Sequence, residues 1–314
     1  MYIGVDIGGT KCAVVKSEDN GNIIEKIRFE TKSCQDTIDE LIKIIKNMGE
    51  AKAIGISCGG PLDSKNGIIL SPPNLMGWDD VHIVGIFEKE LHIKTYLEND
   101  ANACALAEWK FGAGKGCDNM VFFTFGTGLG AGLILNGSLY RGASDMAGEA
   151  GHIRLSEFGP VGYGKTGSFE GFCSGSGIAQ LGKIKAMEKL QMGKTTSYCS
   201  DINDIENITA KKLADLAKAG YDDAAEIFKI SARKLGMGLS VIIDILNPEK
   251  IIIGSIFERC EALFRDEMED VLKKECLPIS LNSCTVTSAM LGEKIGDLAA
   301  ISVAINGLEK ENAK

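Results

Sequence analysis

The sequence has few of the features that mark membrane-bound or nucleic-acid-binding proteins. No apolar run approaches the roughly 20 residues of a membrane span. The N-terminus, MYIGVDIGGTK, lacks the basic region and apolar core of a secretory signal. Lys and Arg (34) are outnumbered by Asp and Glu (43), giving a formal charge of −9. Because an acidic surface repels phosphate backbones, we expect no nucleic-acid partner and no membrane partner.

Cysteine pairs with metal-site spacing are also lacking, although the chain has ten cysteines. None of them forms a C-x-x-C pair, so their spacing does not match a zinc cluster. Free thiols in apolar segments are typical of a reducing compartment, and we expect a cytoplasmic protein with buried free cysteines. They lie at positions 12, 34, 58, 104, 117, 173, 199, 260, 276 and 284.

Glycine, in contrast, is abundant: 38 of 314 residues, about 12%, against a usual content of about 7%. Such an excess indicates tight turns and close approach of the backbone to a ligand. The length corresponds to about two domains. The glycine-rich stretch 111–116 is the best boundary between a first lobe, 1–115, and a second lobe, 116–295.

Hydrophobic periodicity predicts alternating strands and helices, hence an α/β fold with mixed sheets. A strand, a glycine turn and a second strand occur twice, which indicates a weak internal duplication. The expected strands are two within Tyr2–Val15, then Ile23–Thr31, Ala53–Ser57, Thr95–Leu97, Met120–Phe125, Leu133–Leu135 and Ile251–Ile253. The expected helices are Asp36–Met48 capped by Asp36, Val81–Leu91, Ala101–Phe111, Thr209–Ala219, Asp223–Leu246 and Gly292–Leu308.

Three glycine motifs are candidates for binding phosphate. Gly159–Thr166 matches the Walker A pattern, but the glycine-rich residues after it disfavour the helix that a P-loop needs. Gly126–Ala131 loosely matches a dinucleotide fingerprint, yet a strand follows it instead of a helix. The third interpretation pairs Asp6–Lys11 with Gly126–Gly132 as hairpin loops whose amides bind anionic oxygens. Thr10 and Thr127 add hydroxyl groups to these loops, and Asp6 adds a carboxylate for hydrated Mg²⁺.

Seven short segments of the sequence, taken together, indicate a protein family far more specifically than any single glycine loop does. They are DIGGTK at 6–11, GGP at 59–61, PNLMGW at 73–78, ENDANA at 98–103, TFGTGLGAG at 124–132, AGEAGHI at 147–153 and IIIGS at 251–255. They closely resemble the ROK family of sugar kinases and repressors, within the actin-like and hexokinase-like ATPase superfamily. The resemblance implies two actin-like (ribonuclease H-like) lobes that close over ATP, Mg²⁺ and a sugar. It also implies that the C-terminal helix, 296–314, completes the first lobe and that the protein is a homodimer.

The resemblance assigns roles to individual residues. Asp100 matches the catalytic aspartate, the general base, although its place before an Ala-rich helix also fits a helix cap. Taken alone, Asn99 fits a turn residue, Glu149 a solvated carboxylate, and His152 a structural hydrogen-bonding group; Trp78 fits packing. The implied sugar contacts are Gly60, Asn74, Asn99, Asp100, Glu149, His152 and Glu170. The implied ATP phosphate contacts are Gly8, Gly9, Thr10, Lys11, Gly126, Thr127 and Gly128, with Gly254 and Ser255 on the adenosine side and Asp6 holding Mg²⁺ through water.

The chain departs from the family pattern at a zinc site. Many members have C-x-C-G-x-x-G-C-x-E after the E-x-G-H segment, and its three cysteines and the histidine hold structural zinc. This chain has Val161, Tyr163 and Ser168 at the cysteine positions. Because one histidine cannot hold tetrahedral zinc alone, we expect no zinc. Packing by Tyr163, Phe169 and Phe172 is expected to replace it.

Three functional classes are therefore compared. The first is an ATP-dependent hexokinase, glucokinase-like, with another hexose or an N-acetylhexosamine as an alternative acceptor. The second is a sugar-responsive repressor, whose winged-helix module would precede the D-x-G-G-T segment; because that segment begins at residue 6, we expect no such module. The third is a catalytically silent sugar-sensing protein or a regulator without its DNA-binding module. The retained phosphate-loop residues favour the kinase.

Overall fold

The computed structural model describes residues 1–313, in which strands and helices alternate along the chain. The strands are β1 (Tyr2–Ile7), β2 (Lys11–Ser17), β3 (Ile23–Glu30), β4 (Ile54–Cys58), β5 (Leu62–Asp63), β6 (Ile68–Ile69), β7 (Thr95–Asn99), β8 (Met120–Phe125), β9 (Leu129–Leu135), β10 (Ser138–Tyr140), β11 (Val161–Gly162), β12 (Lys165–Thr166), β13 (Lys250–Ile253) and β14 (Thr285–Ser288). The helices are α1 (Cys34–Met48), α2 (Ile83–Leu91), α3 (Asp100–Phe111), α4 (Phe169–Phe172), α5 (Gly175–Gln191), α6 (Ala210–Lys218), α7 (Asp222–Leu246), α8 (Ile256–Glu275), α9 (Pro278–Ser283) and α10 (Ile295–Asn312).

The first of two compact units comprises residues 1–118, 132–147 and the chain from 290 onward. Its sheet has the strand order β3-β2-β1-β4-β7. β1, β2 and β3 are antiparallel neighbours, whereas β1, β4 and β7 run parallel. The register aligns Ile7 with Cys58 and Cys58 with Asn99. The carboxyl ends of three parallel strands therefore meet at one edge, where α/β sheets commonly carry their ligand sites.

Helices cover both faces of this sheet. Side chains alternate along β1, so Ile3 joins the core with α1 and α2, while Tyr2 packs with α10 on the other face. α10 comes very close to the sheet, because a Cβ added at Gly55 would lie 2.1 Å from the carbonyl oxygen of Ala300. Only glycine, which has no side chain, fits between the sheet and α10 at this position.

The second unit comprises residues 119–131 and 148–289. β8, β13 and β14 are parallel, and the start of β9 lies beside β8. Phe264 anchors the core, its ring centroid 5.4 Å from that of Phe125 and 5.5 Å from that of Phe228. The order β9-β8-β13-β14 repeats the order β2-β1-β4-β7 of the first unit, which supports the predicted internal duplication.

The units differ from the predicted lobes at residues 132–147, which belong to the first unit. Within that unit, a Cβ at Gly132 would lie 2.6 Å from the Cβ of Ala105, so this part of β9 packs tightly on α3. The assignment of 1–115 with 296–314 to one lobe and 116–295 to the other stays a prediction.

The six predicted helices and the predicted glycine-turn hairpins are confirmed, with corrections at their ends. The side chain of Ser33, and not that of Asp36, caps α1, because the Ser33 hydroxyl accepts from the backbone N–H of Asp36. β9 begins at Leu129, earlier than expected, and the final helix begins with a 3-10 turn before Ile295. α5, α8 and β14 are elements that the sequence analysis missed.

The ten cysteines are free, and seven of them are buried. Trp78 is fully buried, which confirms its predicted packing role. Within residues 1–313, no helix combines the length and apolar character needed to cross a membrane.

Candidate active site

The carboxyl edge of the first sheet brings together Asp6, Gly60, Asn99 and Asp100. Asn99 ends β7, and its Oδ1 accepts from the backbone N–H of Ala101 at 3.0 Å. Asn99 is therefore the cap of α3, and the alternative of Asp100 as the cap is wrong. Asp100 is the first residue of α3 and its side chain is solvent-accessible, with Oδ1 2.8 Å from the same N–H group. A Cβ at Gly60 would lie 3.4 Å from Asn99 Nδ2, so these two predicted sugar contacts are neighbours.

The glycine loop between β1 and β2 starts at the same edge. The N–H of Gly8 donates to the Lys11 carbonyl at 3.2 Å, and the Thr31 hydroxyl donates to the Gly8 carbonyl at 2.6 Å. In the described chain, 1–313, the amides of Gly9 and Thr10 have no protein acceptor. Two N–H groups of an ordered turn are thus available to an anion, as the hairpin interpretation requires.

Gly9 also lies against Asn74, which is one of the predicted sugar contacts. A Cβ at Gly9 would lie 2.3 Å from the Asn74 carbonyl oxygen and 2.9 Å from the Asn74 Cβ. The missing side chain allows the loop of Gly9 to pack directly on Asn74. Predicted phosphate and sugar residues are therefore adjacent in the first unit.

Negative charge is concentrated at this edge. Burial, followed by the charges of Asp100 and Asp297, raises the pKa of Asp6 to about 6, whereas Arg28 and Lys26 act to lower it. Desolvation by the surrounding protein raises the pKa of Asp100, while hydrogen bonds from the Ala101 backbone and the Asn99 side chain counter that effect. A divalent cation would compensate the excess negative charge, which fits the predicted role of Asp6. Within residues 1–313, no group of three or more His, Cys, Asp or Glu side chains is arranged as a metal site.

Replacing Asp6 with Asn is expected to raise the free energy of unfolding by about 2 kcal/mol near pH 7.5 in the absence of divalent cations. The native pKa of Asp6, about 6, exceeds its ordinary value of 3.8, so the native state binds this proton more tightly than the unfolded state. Ionisation of Asp6 therefore lowers the free energy of unfolding progressively as the pH rises from 3.8 to about 6. Above about pH 6 this destabilisation has reached its full size. Urea unfolding at about pH 7.5 and about pH 4 measures the gain, which should nearly vanish at the lower pH.

The exposed Asp266 supplies the control for this prediction. Asp266→Asn should leave stability unchanged within about 0.5 kcal/mol at both pH values, as is usual at exposed positions. A gain for Asp6→Asn that is equal at both pH values would contradict the electrostatic explanation.

The second glycine loop, Gly126–Gly128 with Leu129, is fixed by hydrogen bonds within the second unit. The Gly126 N–H donates to the Gly128 carbonyl at 3.0 Å, which closes the turn. Helix α5 holds the loop from its first turn: the Gly175 N–H donates to the Gly126 carbonyl at 2.8 Å, and the Ser176 hydroxyl donates to the Thr127 carbonyl at 2.7 Å. The loop is therefore preorganised before any ligand binds.

Glu149, His152 and Glu170 lie around this second loop. Glu170 Oε2 accepts from the Leu129 N–H at 3.0 Å. Gly151, between Glu149 and His152, is tightly packed, since a Cβ there would lie 2.5 Å from the Leu129 carbonyl and 3.3 Å from the Glu170 Cβ. The three predicted sugar contacts therefore lie near one another in the second unit. Glu170 also stabilises the second glycine loop through its hydrogen bond with Leu129.

Gly254 and Ser255 follow β13. The Gly254 N–H donates to the Phe123 carbonyl at 3.0 Å, and Ser255 has a φ of +61°. A non-glycine residue such as Ser255 is strained at this positive φ, whereas glycine would adopt it without strain. The Ser255 hydroxyl accepts from Arg259 at 3.2 Å and would lie 3.6 Å from a Cβ at Gly126. The predicted adenosine-side residues therefore lie next to the second glycine loop.

The segment with the Walker A match forms a hairpin of β11 and β12. Lys165 lies in a strand, and its Nζ donates to the His152 carbonyl at 2.5 Å, so the segment lacks the helix that a P-loop needs. Phe169 and Phe172 are buried as predicted. The packing role expected for Tyr163 is wrong: this side chain is 73% exposed in the turn, where it meets the His152 ring edge-on at 5.3 Å between centroids.

Two residues of the first unit, Glu98 and Arg141, were missed by the sequence analysis. Glu98 is fully buried at the end of β7, and Arg141 Nε donates to its carboxylate at 2.7 Å. The available signal was a charged residue directly after the apolar Leu97 and directly before Asn99.

Comparisons with known proteins identify the family of the chain. The model of the ROK family matches residues 2–306. A glucokinase of Halalkalibacterium halodurans is 30% identical, with 99% of this chain and 98% of the relative covered. A xylose repressor of Caldicellulosiruptor bescii is 27% identical, with 98% of this chain and 78% of the repressor covered.

A solved structure extends the comparison to bound ligands. The ROK family glucokinase of Streptomyces griseus, crystallised with glucose and AMPPNP, is 29% identical and superimposes with a TM-score of 0.75, covering 98% of this chain and 99% of that one. The α/β class with mixed sheets and the actin-like ATPase fold predicted from the sequence are thereby confirmed.

Proposed function

Because the chain belongs to the ROK family, we propose that it is an ATP-dependent sugar kinase that phosphorylates a hexose hydroxyl, with glucose as the leading acceptor. One observation carries the proposal. At the carboxyl edge of the first sheet, the accessible carboxylate of Asp100 accompanies a glycine loop with two free backbone amides. A proton acceptor beside an anion-binding turn is the combination that phosphoryl transfer to an alcohol requires.

Asp100 is the proposed general base. A sugar hydroxyl is a poor nucleophile, so its proton passes to the carboxylate as the oxygen bonds to the γ-phosphorus. The raised pKa of Asp100 makes its ionised carboxylate a stronger proton acceptor than that of an ordinary aspartate. Asn99 fixes the first turn of α3 and so holds this carboxylate in place.

The two glycine loops are the proposed phosphate sites. Within the first unit, the amides of Gly9 and Thr10 would donate to phosphate oxygens. Within the second unit, the loop around Thr127 is a proposed donor of the same kind. When bound, Mg²⁺ supplies positive charge that neutralises the phosphate oxygens, and Asp6 would hold it through water. Both loops are fixed by protein hydrogen bonds, so little reorganisation is needed on binding.

The sugar would be bound by amide, carboxylate and imidazole groups. The side chains of Asn99, Asp100, Glu149 and His152 offer both donors and acceptors, as a polyhydroxylated ligand needs. Gly60, Asn74 and Glu170 complete the proposed set, and the relatives named glucokinase make glucose the first choice.

A coupled ADP-release assay with Mg²⁺ and ATP tests the proposal. We expect turnover with glucose, and lower values of kcat/KM with mannose, fructose, allose and N-acetylhexosamines. Isothermal calorimetry with the same sugars distinguishes the alternatives. Sugar binding without ADP release would replace the kinase by a sugar-sensing protein, and the absence of both would overturn the proposal.

A further inference from the structure

Glu98 is a buried carboxylate directly before the proposed base, and the mechanism above does not use it. It is the penultimate residue of β7 and has no solvent exposure. Its Oε1 accepts from the Asn99 backbone N–H at 3.1 Å and from Asn102 Nδ2 at 3.0 Å. One carboxylate oxygen thus binds the last residue of the strand and the first turn of the helix that follows.

Arg141 binds the other oxygen. Its Nε and Nη2 donate to Glu98 Oε2 at 2.7 and 2.5 Å. Burial raises the pKa of Glu98, and the guanidinium counters that effect by stabilising the ionised form. Arg141 is itself fixed to its loop, because its carbonyl accepts from the Ala147 N–H at 3.0 Å. A buried ion pair of this kind is costly unless all its partners are satisfied, as they are at Glu98.

We infer that Glu98, held by Arg141, is a positioning residue that fixes Asn99 and Asp100 in their catalytic arrangement. The inference rests on the proposed kinase function and deepens it. Asn99 caps α3 through Ala101, and Asp100 bonds to the same amide. Glu98 accepts from the Asn99 N–H and from the Asn102 side chain, so its carboxylate links the end of the strand to the first turn of the helix around Asp100.

Glu98→Ala tests this inference in the full-length protein. Removing the carboxylate leaves the Asn99 N–H and the Asn102 amide without their acceptor, so the turn that carries Asp100 shifts. We expect kcat to fall about 10²-fold, the loss typical of an error of about 1 Å in a catalytic group. The KM for ATP should stay within about twofold, because the glycine loops are untouched. Glu98→Gln retains an acceptor oxygen but loses the ion pair with Arg141, so its kcat should lie about three- to tenfold below that of the wild type.

The pH profile supplies a readout that a loss of stability alone would not move. Hydrogen bonds from Asn99 and Ala101 lower the pKa of Asp100, so their disturbance in Glu98→Ala should shift the acid limb of kcat/KM to higher pH. The titratable side chains that interact with Asp100 are Asp6 of β1, Cys58 of β4 and Cys104 of α3, and all remain unchanged in these variants.

Glu108→Gln is the matched control. Glu108 is equally buried on α3 and also accepts backbone N–H groups, from Ala113, Met290 and Leu291 at 2.7–3.0 Å. It lies eight residues beyond Asp100, about 12 Å along the helix. We expect this variant to lower the Tm while leaving kcat and the acid limb unchanged.

The outcomes separate the two proposals. If the wild type releases no ADP with any sugar, the kinase function fails first. If the wild type is active, Glu98→Ala with a kcat within about threefold of it and an unmoved acid limb would overturn the positioning role. Equal losses of kcat in Glu98→Ala and Glu108→Gln would also overturn it.

If Glu98→Ala does not fold, Glu98→Gln decides: a loss of about three- to tenfold in kcat at unchanged KM for ATP supports the inference, and no loss overturns it.

Discussion

Asp100→Asn is expected to lower kcat by about 10²–10⁴-fold while sugar and nucleotide affinities change only a few-fold. Asn is nearly isosteric with Asp, so its side-chain oxygen can still accept from the Ala101 N–H, as Asp100 does at 2.8 Å. What the amide cannot do is take a proton from a sugar hydroxyl. The loss should therefore appear in kcat, measured by ADP release, with dissociation constants from calorimetry as the independent check.

Asp222→Asn is the control for this substitution. Asp222 is the first residue of α7, as Asp100 is of α3, and it is exposed. Both changes replace a carboxylate by an amide at a helix N-terminus, and at the exposed Asp222 the lost interaction with the helix costs about 0.3–1 kcal/mol. Asp222→Asn should keep the wild-type kcat. Turnover of Asp100→Asn within about threefold of the wild type would remove Asp100 from the role of base.

The sequence predicted the hairpins and most helices because their signals are local. Gly8 and Gly9 interrupt an apolar run, and the structure has β1 and β2 on either side of them. α5 was missed because its glycines argue against a helix. Those glycines are packing positions: a Cβ at Gly177 would lie 2.0 Å from the Gly171 carbonyl, and one at Gly182 2.8 Å from Leu213. Tertiary packing here overrides intrinsic propensity.

β14 was missed for a different reason. Its sequence, TVTS, is short and polar, and its partner β13 lies more than thirty residues earlier in the chain, paired from Lys250 with Thr285 to Ile253 with Ser288. Parallel pairing over such a separation leaves no local pattern.

The candidate site was predictable where motif residues follow parallel strands. Asp6, Gly60 and Asn99 come at or just after the ends of β1, β4 and β7, and the parallel register aligns those ends. The pair of Glu98 and Arg141 could not be predicted, because 43 residues separate its members. The exposure of Tyr163 could not be predicted from the sequence either. This residue lies in a turn with a positive φ (+46°), and its side chain points to solvent instead of the core.

Gly9→Ala should lower kcat/KM for both ATP and the sugar by about 10²-fold. The added Cβ would lie 2.3 Å from the Asn74 carbonyl oxygen and 2.9 Å from the Asn74 Cβ. Both are close to or part of the backbone, so the clash can be relieved only by moving one of the two loops. Either movement displaces a proposed ligand contact: the free amides of Gly9 and Thr10, or Asn74 on the sugar side. Steady-state kinetics with each substrate varied in turn measures both losses.

Gly85→Ala provides the comparison that isolates this clash. Gly85 lies in α2, where a Cβ would meet nothing within 4 Å, and it is exposed. Alanine there should stabilise the helix by about 0.5–1 kcal/mol and leave both kinetic constants unchanged. If Gly9→Ala behaves like Gly85→Ala, the first glycine loop does not bind phosphate in the proposed way. If it loses activity with ATP alone, the loop of Gly9 has moved and Asn74 has stayed, so the contact between them does not couple the two substrate sites.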